Sequence, residues 1–215
     1  IVPGDPEFPW PIAGYPMIRG QTADRAHPDG VSDAGIGAAL GEQLRTLHGL
    51  ELRDQRDAPT DRWRKADVPL RVRGLKQRLE KAARAGVLDR ATHQRCVAAA
   101  EHYGSVPAVD EVRWVHGDLH PRHVIVHDGA LAGVIDWGDV HRGDPAIDVS
   151  LAWTLLTGAA RAAFLDVLDP SDAVRSRGRL RALFYAAVFL TYGPEVDDAH
   201  YSRTAHRTLQ ALQLT

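Results

Sequence analysis

Asp128-Gly129 stands between two short apolar runs, residues 123–127 and 131–135. A dipeptide of this kind is the strongest local signal for a two-residue β-hairpin turn, whose two central residues both need positive φ. The turn sets the register: His127 pairs with Ala130, and continuing outward His123 falls opposite Val134. Asp136 then lies two residues further along the same strand face, because side chains alternate. Diagonal neighbours of this sort are roughly 7–8 Å apart at the backbone, and their side chains come closer. One imidazole and one carboxylate therefore converge at the open end of the hairpin, where a divalent cation could be held between them. Asp118, five residues before His123, enters the same end on a loop, near the metal without necessarily binding it.

Helical patterns surround this small β element. Ile36, Leu40, Leu44 and Leu47 recur on one helical face, and Leu75, Leu79, Ala82 and Ala83 mark a second amphipathic helix. Arg71, Arg73, Lys76, Arg78 and Lys81 around that second helix read as a solvated face. Asp89 suits the N-cap of a third helix running to about His102. Asp144-Pro145 reads as a cap followed by proline at the first helical position, and three further helices are expected near 145–157, 172–190 and 198–213. Residues 1–11 are too rich in proline for regular structure, 12–18 suit a short extended segment ended by Gly20, 21–32 read as a loop and 59–68 as a charged connection. The fold class expected is α+β, mostly helical, with a little β in the middle.

Bulk properties exclude several functions. A net charge of −2 and a pI near 6.6 give no electrostatic footprint for nucleic acid and no polybasic membrane anchor. No apolar stretch approaches the roughly 18–20 residues of a membrane span, and a secretory signal is not expected. The one cysteine, Cys96, cannot form an internal disulfide, which fits a cytoplasmic location. The chain begins with Ile1, so a processed product or a fragment is expected.

Residues 116–148 carry a longer pattern: His116-Gly117-Asp118, then His123, then Ile135-Asp136-Trp137-Gly138-Asp139 after the hairpin, then Gly143-Asp144-Pro145 and Asp148. This resembles the catalytic segment of the aminoglycoside-phosphotransferase family, within the protein-kinase-like fold. Histidine at 123, where asparagine is usual, is similar to the macrolide-phosphotransferase side of that family. The resemblance implies that Asp118 orients the acceptor hydroxyl and takes its proton. It implies that His123 and Asp136 hold Mg²⁺, and that ATP or GTP donates the phosphoryl group to a small-molecule alcohol, an antibiotic or a metabolite. His116, Asp139, Asp144 and Asp148 would support the site, and His120 and His127 would be loop and strand surface residues. By the same resemblance, Pro16, Met17 and Ile18 form a hinge whose backbone meets the adenine edge, with the Pro16 carbonyl and the Ile18 amide as its contacts. Ile125 and Ile135 would floor the adenine, although ordinary core packing explains them as well.

Residues 1–20 would then be the hinge and a remnant of the N-terminal lobe, and 21–215 the helical C-terminal catalytic lobe, weak or inactive by itself. Glu195, Asp197 and Asp198 suit either the pocket of a cationic substrate or a solvated helix start. Two other readings stay open. One is a metallohydrolase built on His116, Asp118, His120, His123 and Asp136. The other is a kinase-like remnant without catalysis.

Overall fold

The structure, a computed structural model, describes residue 7 and residues 16–51, 58–106 and 112–215. Residues 12–15 of the expected extended segment lie outside the described residues, and 16–19 carry no regular secondary structure. The segment 21–32, read as a loop, instead contains strand β1 (Gln21–Thr22) and a single-turn helix α1 (Ala23–Ala26). No local pattern announces β1, because it exists through pairing with distant Ile125 and Val126.

Helices α2 (Ala34–His48), α3 (Val68–Arg84) and α4 (Arg90–Gly104) all begin at an aspartate. Asp33 accepts from the Ile36 N–H, Asp67 from Leu70, and Asp89 from Ala91 and Thr92. Each cap satisfies donors that the first turn leaves without intrahelical partners. The periodic leucines expected to face the core do so: Leu40, Leu44, Leu75 and Leu79 are buried.

Strands β2 (Arg113–Val115), β3 (Val124–His127), β4 (Ala130–Val134) and β5 (His141–Gly143) follow. They form two small antiparallel sheets, β1-β3-β4 and β2-β5. Asp128 and Gly129 both have positive φ, 48° and 74°, as the tight turn requires. The hairpin register departs from expectation. His127 pairs with Ala130 and Val126 with Leu131, but Ile125 pairs with Gly133 and Val124 with Val134. Ala132 is thus an extra residue, a β-bulge. Val134 stands opposite Val124 rather than His123, and the Ile135 N–H donates to the His123 carbonyl at 2.9 Å.

After β5 the chain is helical: α5 (Ala146–Val149), α6 (Leu151–Thr154), α7 (Gly158–Leu168), α8 (Asp172–Glu195) and α9 (Ala199–Ala211). The single helix expected over 145–157 is two short ones. It stops because Leu156 bridges to Val31 and the Thr157 N–H donates to the Val31 carbonyl, which pulls the backbone out of the helix. The separate helix α7 was not expected; it packs along α2. Helix α8 is the central element, touching α3, α4, α5, α6 and α9. Leu183, Ala186, Ala187 and Leu190 on it are buried. Among the described residues no helix is long and apolar enough to cross a membrane.

Candidate active site

The loop between β2 and β3 is anchored from beneath by Asp148 on α5, which is fully buried. Its Oδ2 accepts from the His116 N–H at 2.8 Å and its Oδ1 from the Gly117 N–H at 3.1 Å, while His48 Nε2 lies 3.0 Å from Oδ2. Burial by itself would raise the Asp148 pKa, but the His48 contact and the His116 imidazole and amide outweigh it and hold the carboxyl below its ordinary value. The His116 ring, also fully buried, ties the loop to the hairpin. Its Nδ1 accepts from the Asp118 N–H, and its Nε2 lies 2.9 Å from the Ile135 carbonyl, which can only accept. In this arrangement Nδ1 accepts and Nε2 donates. Gly117 has φ of 85°, and a Cβ there would stand 2.3 Å from the Asp139 carbonyl oxygen, so only glycine fits.

These bonds present Asp118. Its Oδ1 accepts from the Tyr185 hydroxyl at 2.7 Å, with Lys65 Nζ at 3.5 Å and Arg181 Nη2 at 3.6 Å. Burial opposes ionisation, yet Lys65, the Tyr185 hydroxyl and Arg181 prevail and lower the carboxyl pKa. Lys65 also donates to Asp139 Oδ2 at 2.5 Å and to the Gly117 carbonyl at 2.8 Å. Sequence reasoning missed both Lys65 and Tyr185. Lys65 belongs to the stretch read as a charged connection, and its one distinguishing mark is that lysine occurs only three times in an arginine-rich chain.

His123 closes a 3₁₀ turn, Pro121–His123. Its Nδ1 lies 2.8 Å from the Asp118 carbonyl and so donates, which aims Nε2 outward, 3.3 Å from Asp136 Oδ2. The expected convergence is present, but by another route. The bulge puts His123 level with Ile135, and a regular strand would then turn the Asp136 side chain away. Asp136 instead adopts a left-handed conformation, φ 62° and ψ 60°, which aspartate tolerates better than most residues. That local strain returns its exposed carboxylate to His123.

His120 is not the surface residue expected. Its ring stacks on His123 at 3.8 Å between centroids and meets Tyr185 and Phe189 edge-on at 5.8 Å. Burial and then the neighbouring His123 depress its pKa to about 3, so it is neutral. Ligand atoms of Asp118, His120 and His123 all lie within 4.8 Å of one another. His127 is exposed, as expected.

The other residues singled out fall into place as neighbours or supports. Asp144 accepts from the Ala146 N–H at 3.0 Å and from Arg177 at 2.5 Å, bracing α5 against α8. Met17 and Ile18 are exposed, and Pro16 is exposed beside them. Gly20, with φ of 131°, lets the chain pass so close to the Val126 carbonyl that a Cβ would meet it at 2.3 Å. Ile125 is buried and Ile135 half-buried. Glu195 pairs with Lys81 at 2.8 Å, and Asp198 pairs with Arg122 at 2.9 Å while accepting from the His200 N–H. Those carboxylates are occupied in helix capping and ion pairs. On α3 the solvated-face reading suits Lys76 and Lys81, but Arg71 and Arg78 turn towards the ring of Phe184.

Comparison with known proteins places this geometry. Over 56 residues the chain is 36% identical to the uncharacterized protein YcbJ of Bacillus subtilis strain 168, a match covering 26% of this chain and only 18% of YcbJ. In fold it is similar to macrolide 2'-phosphotransferase MphH from Brachybacterium faecium, with TM-score 0.53, 19% identity and coverage of 93% of this chain and 72% of that one. It is also similar to the GDP and kanamycin complex of APH(2")-IIia, with TM-score 0.61, 17% identity and coverage of 92% and 69%. Choline kinase from Cryptosporidium parvum shares the fold at TM-score 0.50 and 11% identity, over 92% of this chain and 68% of that one. The model of the phosphotransferase enzyme family, APH, matches residues 4–183, and the chain belongs to that family.

Proposed function

We propose that the chain moves the γ-phosphoryl group of ATP or GTP to a hydroxyl of a small molecule, with Asp118 as the catalytic residue. The observation that carries this reading is the setting of Asp118: a carboxylate kept ionised by Lys65 and the Tyr185 hydroxyl, at the mouth of a cleft and beside His123. The acceptor O–H would donate its proton to Asp118 as its oxygen bonds to the γ-phosphorus, and the bond from that phosphorus to the β-phosphate oxygen would break to release the diphosphate. Asp118 would thus orient the hydroxyl and take its proton within one hydrogen bond.

The donor set fits a divalent cation. His123 has Nδ1–H committed to a backbone carbonyl, leaving Nε2 beside an exposed carboxylate, and in that arrangement the second bond orients the first ligand. His123 and Asp136 would hold Mg²⁺, which when bound would neutralise charge on the transferring group. Residues 16–20 would serve as the hinge, with Pro16 to Ile18 offering backbone to the adenine edge, above Ile125 and Ile135. GDP in a solved neighbour of the same fold supports nucleotide use. A kinase drawing on ATP or GTP belongs in the cytoplasm, and buried Cys96 needs no oxidising compartment.

The close approach of Asp118, His120 and His123 favours a second reading, a hydrolytic metal centre. Against it, His120 Nδ1 already accepts from the Arg122 N–H, and its ring lies stacked on His123 instead of converging with it. Elemental analysis with thermal unfolding separates the two. The kinase reading expects no resident zinc and a rise in melting temperature only when nucleotide and Mg²⁺ are added together. Tight stoichiometric zinc, with no response to nucleotide, contradicts it.

A further inference from the structure

A cleft of about 430 Å³ opens on Asp118, and neither His123 nor Asp136 lines it. Four cations line it, Lys65, Arg71, Arg78 and Arg181, and Asp118 is the one carboxylate among its lining residues. Lys65 is matched by Asp139. Arg181 shares Asp118 with Lys65, whereas Arg71 and Arg78 form no ion pair among the described residues. Arg71 donates to the backbone carbonyls of Trp63 and Arg64, and the carboxylates of Asp61 and Asp67 act on it only from beyond ion-pair distance. Arg78 is exposed. Arg181 is buried, reaches Asp118 and the Tyr185 hydroxyl with Nη2, and has a buried Nε without a partner.

The ring of Phe184 gathers these groups, with the guanidinium carbons of Arg71, Arg78 and Arg181 at 5.2, 5.5 and 5.4 Å from its centroid. Like charges held this close repel, and a bound anion relieves the repulsion. The remaining wall is mostly aromatic, with Trp63, Phe184, Tyr185, Phe189, Tyr192 and Tyr201 on it. A ligand for this surface needs a flat or apolar body and a negative group near Arg71 and Arg78. A polycationic amino sugar would meet positive charge where it needs carboxylates, and Glu195 and Asp198 are engaged elsewhere.

We infer that the acceptor is an anionic hydroxyl compound with an aromatic or extended apolar body, its acidic group bound by Arg71, Arg78 and Arg181 and its hydroxyl directed at Asp118. This rests on reading Asp118 as the carboxylate that faces the acceptor. The acid is a carboxylate, sulfate or phosphate, all of which suit paired guanidinium donors.

Three benzyl alcohols of one shape test the charge: 4-(hydroxymethyl)benzoate, 4-(hydroxymethyl)benzamide and 4-(hydroxymethyl)benzylamine. Their affinities are measured by ligand-observed NMR with Mg²⁺-nucleotide present, together with phosphoryl transfer to each. The benzoate is expected to bind about tenfold more tightly than the amine, and Arg78→Glu to remove most of that preference while nucleotide affinity is kept. Arg78 is exposed, so this variant does not threaten the core. Absence of a preference for the anion, whether all three bind or none does, overturns the inference. So does a preference that survives both Arg78→Glu and Arg71→Gln, or a loss of nucleotide affinity in Arg78→Glu, which would assign the arginines to the nucleotide phosphates. If the benzoate binds as described but is never phosphorylated, the cleft assignment stands and the phosphoryl-transfer reading fails.

Discussion

Lys65 supplies the charge that offsets Asp118 in the cleft, although 53 positions separate the two residues in the chain. With the amine gone, the forces left on Asp118 shift towards burial, and its pKa should rise. A proton-accepting carboxylate works only when ionised, so kcat/KM falls as pH drops through that pKa. Lys65→Met is therefore expected to move the acid limb of the kcat/KM profile to higher pH, and Lys65→Arg to move it less. A limb that stays in place in Lys65→Met argues that the lysine serves only to brace Asp139. Asp148 has a structural counterpart of this role. Asp148→Asn leaves His48 facing an uncharged amide and should cost about 3 kcal/mol of stability in urea unfolding at pH 7. Because the folded Asp148 pKa lies below the unfolded one, that difference is full above roughly pH 4 and shrinks as pH falls through the folded value. A difference constant down to pH 2 contradicts the assignment. Asp118, His123 and Asp136 were legible in the sequence because they fall within one short segment with a strong turn. Lys65, Tyr185 and the arginines of the cleft were not, since tertiary packing alone brings them there.

At the level of elements, periodic leucines announced α2 and α3, the cap at Asp89 announced α4, and Asp128-Gly129 announced the hairpin. What stayed hidden was set by contacts between elements. Helix α7 carries its large apolar residues only in its second half, and α2 approaches it closely through glycines. A Cβ on Gly37 would lie 2.1 Å from the Ala160 carbonyl oxygen, and one on Gly41 2.9 Å from Val167. Gly37→Ala should therefore destabilise the chain by roughly 2 kcal/mol or more, although alanine is the better helix former. Unfolding in urea measures this, and an unchanged or higher midpoint would show that the two helices separate without cost. The bulge at Ala132 was hidden for a related reason. Alternation in a short apolar strand does not reveal an inserted residue, and the error of one position was then cancelled by the left-handed turn at Asp136.

In the whole molecule, α8 carries Tyr185 to Asp118, Arg177 to Asp144, and Arg181 and Phe184 to the cleft. A helix with apolar residues on every side is a buried one, and the buried positions of α8 agree. The sequence ended this helix at 190, where apolar density drops, but it continues through Pro194 to Glu195. The two sides of the proposed site follow from the fold: the hairpin provides His123 and Asp136, and the helices provide the cleft assigned to the acceptor. Manganese electron paramagnetic resonance with nucleotide present examines that division most directly. Mn²⁺ stands in for Mg²⁺ and reports its own binding. Wild type and Asp118→Asn are expected to bind Mn²⁺ with nucleotide, and His123→Ala and Asp136→Asn to lose it. Binding that survives in Asp136→Asn but disappears in His120→Ala or Asp118→Asn would contradict the account.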